Sequence, residues 1–462
     1  LYLVRHGKPQ YPDEHSYCVG QTDFSLSMLG HLQAVLLNEE LSDKISRIYC
    51  SPLLRAVETA GHMAPELPHI IVSDLSERNL GEWDGLSFDK IRQRWPDIYK
   101  ARGNNPDHPI PGAETPAASG FRFSQAVHKI LCASEGDIAV VAHTDVISSY
   151  IYALHSGMYS RQRFRLPCGS YYHLEVNERN NISFSDPNYI LPHPELNDGL
   201  CLRLRNAVSL PRHVQAHSDA VTELACCLCN MLESNGYIFD QKLVRSGALL
   251  HDIARLQKNH TKTGGELFLQ LGYPEICQII SQHHGLKETK LDEAAIVFLA
   301  DKLIEETQRV SIEKRFADNL YKCKSPEALQ SHKLQLKQAL TLQDMIQSIC
   351  HTTIGGGAVE YRAELMALDI LEKKESDEHE FRLNRKDVEN IGMICGGDVT
   401  VFFQYLDHND PVISEITETA AKSYEERKDF WLICDLKTTS GMSLYSPVSY
   451  THLRAHETGR NL

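Results

Sequence analysis

The chain opens on LYLVRHG (Leu1–Gly7), four apolar or aromatic residues in a row with Arg-His-Gly where the run ends. An unbroken apolar run fits a strand buried on both faces, and such strands belong to parallel sheets covered by helices. Functional groups of these sheets collect at the carboxyl ends of the strands. The opening stretch therefore predicts an α/β fold with Arg5 and His6 at the working edge of its sheet.

Later runs end in matching ways. Ile45–Cys50 leads into Ser51-Pro52-Leu53-Leu54-Arg55-Ala56-Val57-Glu58-Thr59-Ala60, where Pro52 predicts a helix's first turn and Arg55 a place about one turn in. Ile138–Ala142 ends in His143-Thr144, and the run Ile70-Ile71-Val72 precedes a loop that holds Glu77. Arg5, His6, Arg55, Glu77 and His143 are thus expected on one edge of one sheet. The residue types suit phosphoryl transfer. Neutral imidazole is a competent nucleophile near neutral pH, and guanidinium forks match phosphate oxygens in pairs. The bland alternative makes the arginines surface ion-pairing groups and the histidines fillers of polar pockets.

That ordered set resembles the histidine phosphatase (phosphoglycerate mutase-like) superfamily. Further matches are Gly20-x-x-Asp23-x-x-Leu26-Ser27-x-x-Gly30-x-x-Gln33-Ala34 and the stretch Ser51–Ala60. The resemblance implies a three-layer α/β domain over residues 1–190 that needs no metal. By it, His6 attacks phosphorus, Arg5, Arg55 and His143 hold the phosphate oxygens, and Glu77 protonates the leaving group. Lys8-Pro9 after the glycine, Thr144 after the second histidine and Gly112-Ala113-Glu114-Thr115 depart from the usual pattern, changes expected to touch substrate selection. The short span from Glu77 to His143 favours a phosphatase over a mutase.

After Asp186-Pro187-Asn188, with Pro192 and Pro194 close behind, alternating strands and helices give way to nearly continuous helix. Helical periodicity is read over Val214–Glu233, Arg245–Gln257, Gly265–Leu271, Pro274–His284 and Leu291–Gln308. His217, the pair His251-Asp252 and Asp301 stand in that order inside the block. They resemble the HD superfamily of metal-dependent phosphohydrolases, implying an all-α domain over 196–345 in which these four residues bind one divalent ion. His260 and His283-His284, of which His284 is the chosen ligand, match positions that serve a second ion in binuclear members. Mixed imidazole and carboxylate suits iron or manganese better than magnesium. A loop position for His260 and a helix-end role for His283-His284 are the alternatives. His213, one turn before His217, is a weaker rival ligand.

Further on, Thr353–Glu360 carries Gly355-Gly356-Gly357, and Gly392–Gly397 places Cys395 between Met393-Ile394 and Gly396-Gly397. Ala363–Lys373 reads as a helix and Val399–Tyr405 as a strand. These stretches resemble part of the XdhC/CoxI family. The likeness implies a small partial α/β domain over 350–445, a molybdenum cofactor held near Cys395, Gly396 and Gly397, and a molybdenum hydroxylase partner. Residues 446–462 resemble translated sequencing-adaptor read-through, and with no initiator methionine the chain is expected to be a fragment that starts mid-protein.

Composition bounds the rest. A length of 462 residues predicts about two to four domains. The net charge of −14 excludes a nucleic-acid backbone or anionic membrane as the main partner, and no apolar run reaches membrane-spanning length. Thirteen scattered cysteines, an odd count, point to a reducing cytoplasm. Cys226-Cys227-Leu228-Cys229 reads as core packing in a helix rather than a metal site. The chain is expected to be a multidomain hydrolase of small phosphorylated metabolites or nucleotides. A non-catalytic assembly factor that uses hydrolase folds for docking is the rival class.

Overall fold

The computed structural model describes residues 1–155, 161–177, 182–183, 188–350 and 373. It also describes 377–383, 397–403, 410–425, 431–434 and 442–445. Residues Leu1–Asp301 form one compact unit and Lys302–Leu462 another.

The first unit begins with β1 (Tyr2–Arg5), β2 (Tyr17–Cys18), α1 (Met28–Leu41), β3 (Arg47–Cys50), α2 (Leu54–Met63), β4 (His69–Ile71) and β5 (Leu86–Ser87). Helices α3 (Phe88–Arg94), α4 (Pro96–Asn104) and α5 (Pro116–Cys132) follow, then β6 (Ile138–Ala142), α6 (Thr144–Leu154) and β7 (Tyr171–His173). Five strands make one sheet in the order β4-β3-β6-β1-β7, parallel except for β7.

Alternation along β1 explains its continuous apolarity. Leu1 and Leu3 join Phe123, Val127, Ile147 and Ile151 on one face, while Tyr2 and Val4 join Leu37, Leu41, Ala56 and Met63 on the other. Helices therefore cover both faces, in three layers. The register sets Arg5 beside Ala142 and Cys50 beside Val141, so β1, β3 and β6 end together. Their next residues, His6, Ser51 and His143, meet at one edge for that reason. Pro52 does not start the helix after β3. It precedes the cap residue Leu53, and Arg55 is the helix's second residue, held by an N–H of Leu54 bonded to Asp23 Oδ1 at 2.6 Å.

Helical structure continues through α7 (Asp198–Ala207), α8 (Arg212–Glu233), α9 (Gln241–Leu250), α10 (His260–Gln270), α11 (Pro274–Gln282) and α12 (Glu293–Leu303). Two expected boundaries are corrected. The helix expected over Arg245–Gln257 stops at Leu250 and breaks into turns, and His260 opens a new helix after Asn259 in the left-handed conformation (φ 55°). The helix expected to reach Gln308 ends at Leu303. The CxxC stretch is only partly core: Cys229 is buried, but Cys227 is exposed.

Helix α1 carries apolar residues around most of its circumference, which is stable only when both sides are covered. Leu37 and Leu41 pack under the sheet, while Leu29, Leu32, Val35 and Leu36 share a core with Leu200, Leu204, Leu249, Leu250 and Ile253. A fully buried leucine contributes about 1.5–3 kcal/mol, so α1 ties the α/β and helical parts into one body.

In the second unit, Ile304–Glu305 pairs with Gln308–Arg309, followed by helices Ile312–Asn319 and Pro326–Cys350. Strand Asp377–Leu383 pairs antiparallel with Gly397–Phe403, and Trp431–Cys434 pairs with Met442–Tyr445. The observed strand Gly397–Phe403 overlaps the expected Val399–Tyr405. Cys395, Gly396 and residues 446–462 lie outside the described residues, as does nearly all of Ala363–Lys373.

Candidate functional site

Two clusters of buried polar groups occupy the first unit. At the sheet edge, His6 is fully enclosed, and its Nδ1 lies 2.6 Å from the Gly7 carbonyl. A proton on Nδ1 leaves the Nε2 lone pair available, and Arg55 Nε donates toward it at 3.3 Å. Burial first, then the Arg55 and Arg5 charges, hold the imidazole pKa well below its ordinary value, so the ring stays neutral. The Gly7 backbone reaches this position because it crosses α1 at a glycine. A Cβ on Gly7 would stand 2.4 Å from the Gly30 carbonyl oxygen, which no side chain tolerates.

Arg55 is 1% exposed and spends two of its nitrogens on the carbonyls of Gly20 (2.6 Å) and Thr22 (2.9 Å). Arg5 Nη1 donates to the Leu166 carbonyl, while its buried Nε has no partner. His143 sits 4.9 Å from His6, ring centre to ring centre. Its Nε2 meets Ser51 Oγ at 2.7 Å, and its Nδ1 is buried without a hydrogen-bond partner. With Ser51 as donor, Nδ1 carries the ring proton.

Glu77 accepts from the N–H groups of Arg78 (2.8 Å), Asp145 (3.1 Å) and Val146 (3.2 Å). Burial, reinforced by the nearby Asp145 charge, pushes its carboxyl up to about 7. The expected set Arg5, His6, Arg55, Glu77 and His143 is thus brought together, and Arg5, His6, Arg55 and Glu77 line one cavity of about 270 Å³. Sequence reading passed over three supports. Asp145 pairs with Arg78 at 3.0 Å, and Ser51 holds His143. Arg122 clamps the Glu77 loop through the carbonyls of Asp74 (2.7 Å) and Ser76 (3.0 Å). Arg78 directly follows Glu77 and Asp145 stands two residues after His143, which was the available signal. Glu114, within the Gly112-Ala113-Glu114-Thr115 stretch, pairs with Arg122 at 2.9 Å.

The second cluster lies where α8, α9, α10, α11 and α12 meet. His251 and His283 stand at the ends of α9 and α11, and each ties Nδ1 to the carbonyl three residues back, at 2.7 Å in both cases. Both rings therefore aim Nε2 inward. His251 Nε2 has no hydrogen-bond partner and stands 3.8 Å from a carboxylate oxygen of Asp252 and of Asp301. His217 Nε2 lies 3.1 Å from Asp301, and Asp252 Oδ1 lies 3.4 Å from His260 and 3.5 Å from His283. Burial ahead of other causes lowers the His251 and His260 pKa to about 4, keeping both rings in the ligand form.

Two groups satisfy the spacing for a shared ion: His217, His251 and Asp252, and His260, His283 and His284. All of the expected metal residues gather here. His283 is added as the buried member nearest Asp252, while His284 is exposed, and so is the rival His213. The His251 Nε2 lone pair, turned toward the Asp252 and Asp301 carboxylates, is repelled by them unless a cation lies between, so the donor set fits a divalent ion.

Residues 1–184 match the histidine phosphatase superfamily (branch 1), and residues 214–305 match the HD domain. A Hydrogenobacter thermophilus protein named as a candidate phosphoserine phosphatase 2 is 31% identical over 155 residues, 33% of this chain and 76% of that one. Phosphoglycerate mutase-like protein 4 of Arabidopsis thaliana is 35% identical over 157 residues, 32% of this chain and 68% of that one. Among solved structures, the alpha-ribazole phosphatase of Shigella flexneri shares 28% identity over 38% of this chain and 91% of its own, with a TM-score of 0.35.

Proposed function

From a chain that belongs to the histidine phosphatase superfamily, carries an HD domain and is a hydrolase acting on phosphoric esters, we propose two separate phosphohydrolase centres. The first hydrolyses small phosphomonoesters through a phosphohistidine at His6. The observation that carries this reading is the pairing of an available His6 Nε2 with unmet donors around it, Arg5 Nε and His143 Nδ1. Those donors match the oxygens of a phosphoryl group, and Arg55 adds charge at the same nitrogen. His6 Nε2 forms a bond to phosphorus as the P–O bond to the leaving group breaks, and Glu77 gives its proton to the departing oxygen. Water then attacks the phosphohistidine, Glu77 takes a proton from it, and phosphate and free His6 result. The relatives' names, a candidate phosphoserine phosphatase and a mutase-like protein, support small phosphorylated metabolites as substrates.

The second centre is a divalent-metal phosphohydrolase. His217, His251, Asp252 and Asp301 would hold one ion, and His260, His283 and His284 with Asp252 a second. A bound ion there would supply Lewis acidity and an acidified water. The protein's part is visible in the two tied Nδ1 atoms, which fix the rings before any ion arrives. Iron or manganese fits the mixed donor set.

We assign 1–190 to the phosphatase, 196–345 to the HD domain and 350–445 to a partial XdhC/CoxI-like segment, with 446–462 as an artefactual tail. The molybdenum cofactor at Cys395, Gly396 and Gly397, and a molybdenum hydroxylase partner, rest on the sequence motifs alone. A cytoplasmic location rests on the odd number and scatter of the cysteines in the sequence. Among the described residues, no helix is long and apolar enough to cross a membrane. A phosphate-ester panel assayed with and without EDTA tests the two-centre reading. Chelator-resistant turnover belongs to His6, chelator-sensitive turnover to the helical centre, and no turnover of either kind overturns it in favour of a docking role.

A further inference from the structure

The phosphatase cavity holds more positive charge than one phosphate needs. Six arginines line it, Arg5, Arg55, Arg78, Arg102, Arg161 and Arg165, against two carboxylates, Glu77 and Asp145. Glu77 carries a proton below about pH 7. A phosphoryl dianion on Arg5 and Arg55 leaves four guanidinium groups to share Asp145 within the cavity.

Those four form a group of their own. The charges that bear most on His6 are Arg55 and Arg5, whereas those that bear on Arg102 are Arg78, Asp145 and Arg161. Asp145 is committed mainly to Arg78, at 3.0 Å, and stands at 3.9 Å from Arg161 and 3.7 Å from Arg165. Arg161 has a closer partner in Asp107 at 2.5 Å. Arg102 has no carboxylate within ion-pair distance among the described residues; it donates to the His108 carbonyl at 2.5 Å. Its guanidinium lies 5.6 Å over the Trp83 ring, a cation–π contact that helps hold the side chain in place without supplying a carboxylate partner. Half-buried and next to other cations, Arg102 stands ready for an anion. The same cavity is also lined by apolar and aromatic surface from Trp83, Phe88, Tyr17 and Ile110.

We propose that Arg102, with Arg161 and Arg165, binds a second anionic group of the substrate, a carboxylate or a second phosphate carried on a body that packs on the apolar wall. The inference rests on the reading of the cavity as a phosphomonoester site and deepens it. A substrate with one phosphate and a neutral remainder leaves Arg102 unpaired in a half-buried setting. A substrate with two anions separated by an apolar spacer satisfies both arginine groups at once. Bidentate guanidinium recognition makes Arg, rather than Lys, the suited residue at this position.

The test uses phosphonates that cannot be hydrolysed, so binding is read apart from catalysis. The whole chain is titrated calorimetrically with benzylphosphonate, 4-(phosphonomethyl)benzoate and 1,4-phenylenebis(methylphosphonate). At least one doubly anionic compound is expected to bind tenfold or more tightly than benzylphosphonate, and which one gains more names the second anion as carboxylate or phosphate. The gain should shrink as salt rises. In Arg102→Met the ratio should drop below threefold, whereas Arg47→Met, an exposed residue at the start of β3, should keep it. Arg161→Met is the second variant should Arg102→Met fail to fold, and a lost ratio is expected there also. Equal affinity for singly and doubly anionic compounds in the wild type, or a preference retained in both variants, overturns the proposal. Loss of the phosphohistidine reading would show separately, as chelator-resistant turnover unaffected by His6→Ala, with the binding ratios still deciding this site.

Discussion

Around His6, buried groups without hydrogen-bond partners among the described residues include the donors Arg5 Nε and, with Ser51 donating to its Nε2, His143 Nδ1, whereas at the helical centre His251 Nε2, an acceptor, is set between two aspartates. Both centres use histidines whose Nδ1 lies against a backbone carbonyl, at 2.6 Å for His6 and 2.7 Å for His251 and His283. The same device thus has opposite outcomes. Beside guanidinium groups, an Nε2 lone pair is a nucleophile set to meet an anion; beside carboxylates, it is a ligand set to meet a cation. The charge of the surroundings, more than the histidine itself, separates the two chemistries.

The sharpest way to break this contrast is to remove the nucleophile. His6→Ala should lower chelator-resistant phosphomonoesterase activity by on the order of 10⁴-fold or more, the scale seen when a covalent nucleophile is lost. Brief reaction of the wild type with labelled substrate should leave acid-labile phosphate on the protein, and none on the variant. If EDTA-resistant turnover survives His6→Ala, the donor ring serves some other purpose.

Next in size is the acid. Glu77 is raised from an ordinary 4.5 to about 7, so its proton is present below that pH and lost above it. Turnover of esters with poor leaving groups should therefore fall roughly tenfold per pH unit above about 7, and Glu77→Gln should cost about 10²–10⁴-fold and flatten the limb. The linked stability has the same sign. The folded chain holds this proton more tightly than the unfolded one, so Glu77's contribution weakens as pH rises from about 4.5 to 7. A falling limb that persists in Glu77→Gln would assign the proton elsewhere.

At the helical centre the comparison is tested by metal analysis. Wild type should retain iron, manganese or a similar divalent ion, near one per chain if only His217, His251, Asp252 and Asp301 bind it and near two if His260 and His283 take part. Asp252→Ala should weaken binding by about tenfold to a hundredfold or more, since even outer-shell changes cost that much. A chain that holds no metal under any loading condition would leave its inward-facing lone pairs without an explanation.

How much of this could be read in the sequence follows from how local each signal is. The LYLVRHG run, the IAVVA run and the spacing of His251-Asp252 are local, and the sheet register turns them into a site without further help. The stop of α9 at Leu250 is different. Apolar periodicity continues past it, but the helix ends where His251 caps it, its Nδ1 on the Ala248 carbonyl that the last turn would otherwise use. Arg102 and Arg161 were invisible for another reason: neither the single Arg102 nor the run Arg161-Gln162-Arg163-Phe164-Arg165 says that folding will place a guanidinium over Trp83 or beside Asp107. The second side of helix α1 was equally illegible, because covering it depends on leucines more than 150 residues away.

That second side leads to the smallest effect and the one that bears on whether the two centres are separate molecules in one chain. Leu29, Leu32, Val35 and Leu36 of α1 share a core with Leu249, Leu250 and Ile253, which flank His251-Asp252, while Leu37 and Leu41 of the same helix pack under the catalytic sheet. A helix buried on both sides cannot leave one core without disturbing the other. Metal that binds only the folded state should stabilise it by about 2.7 kcal/mol at a free concentration a hundredfold above Kd. If α1 makes the parts unfold together, that increment should also protect the phosphatase, whose own chemistry uses no metal. Heat inactivation of the EDTA-resistant activity, compared between metal-loaded and stripped protein and assayed afterwards in EDTA, should shift upward on loading by a few degrees. Leu32→Ala, which empties a fully buried position in the shared core, should cost about 2–5 kcal/mol and lower both the inactivation temperature and the temperature of metal release. An inactivation curve indifferent to metal, beside a metal-release transition that moves, would show two independently melting domains and reduce α1 to a surface of contact.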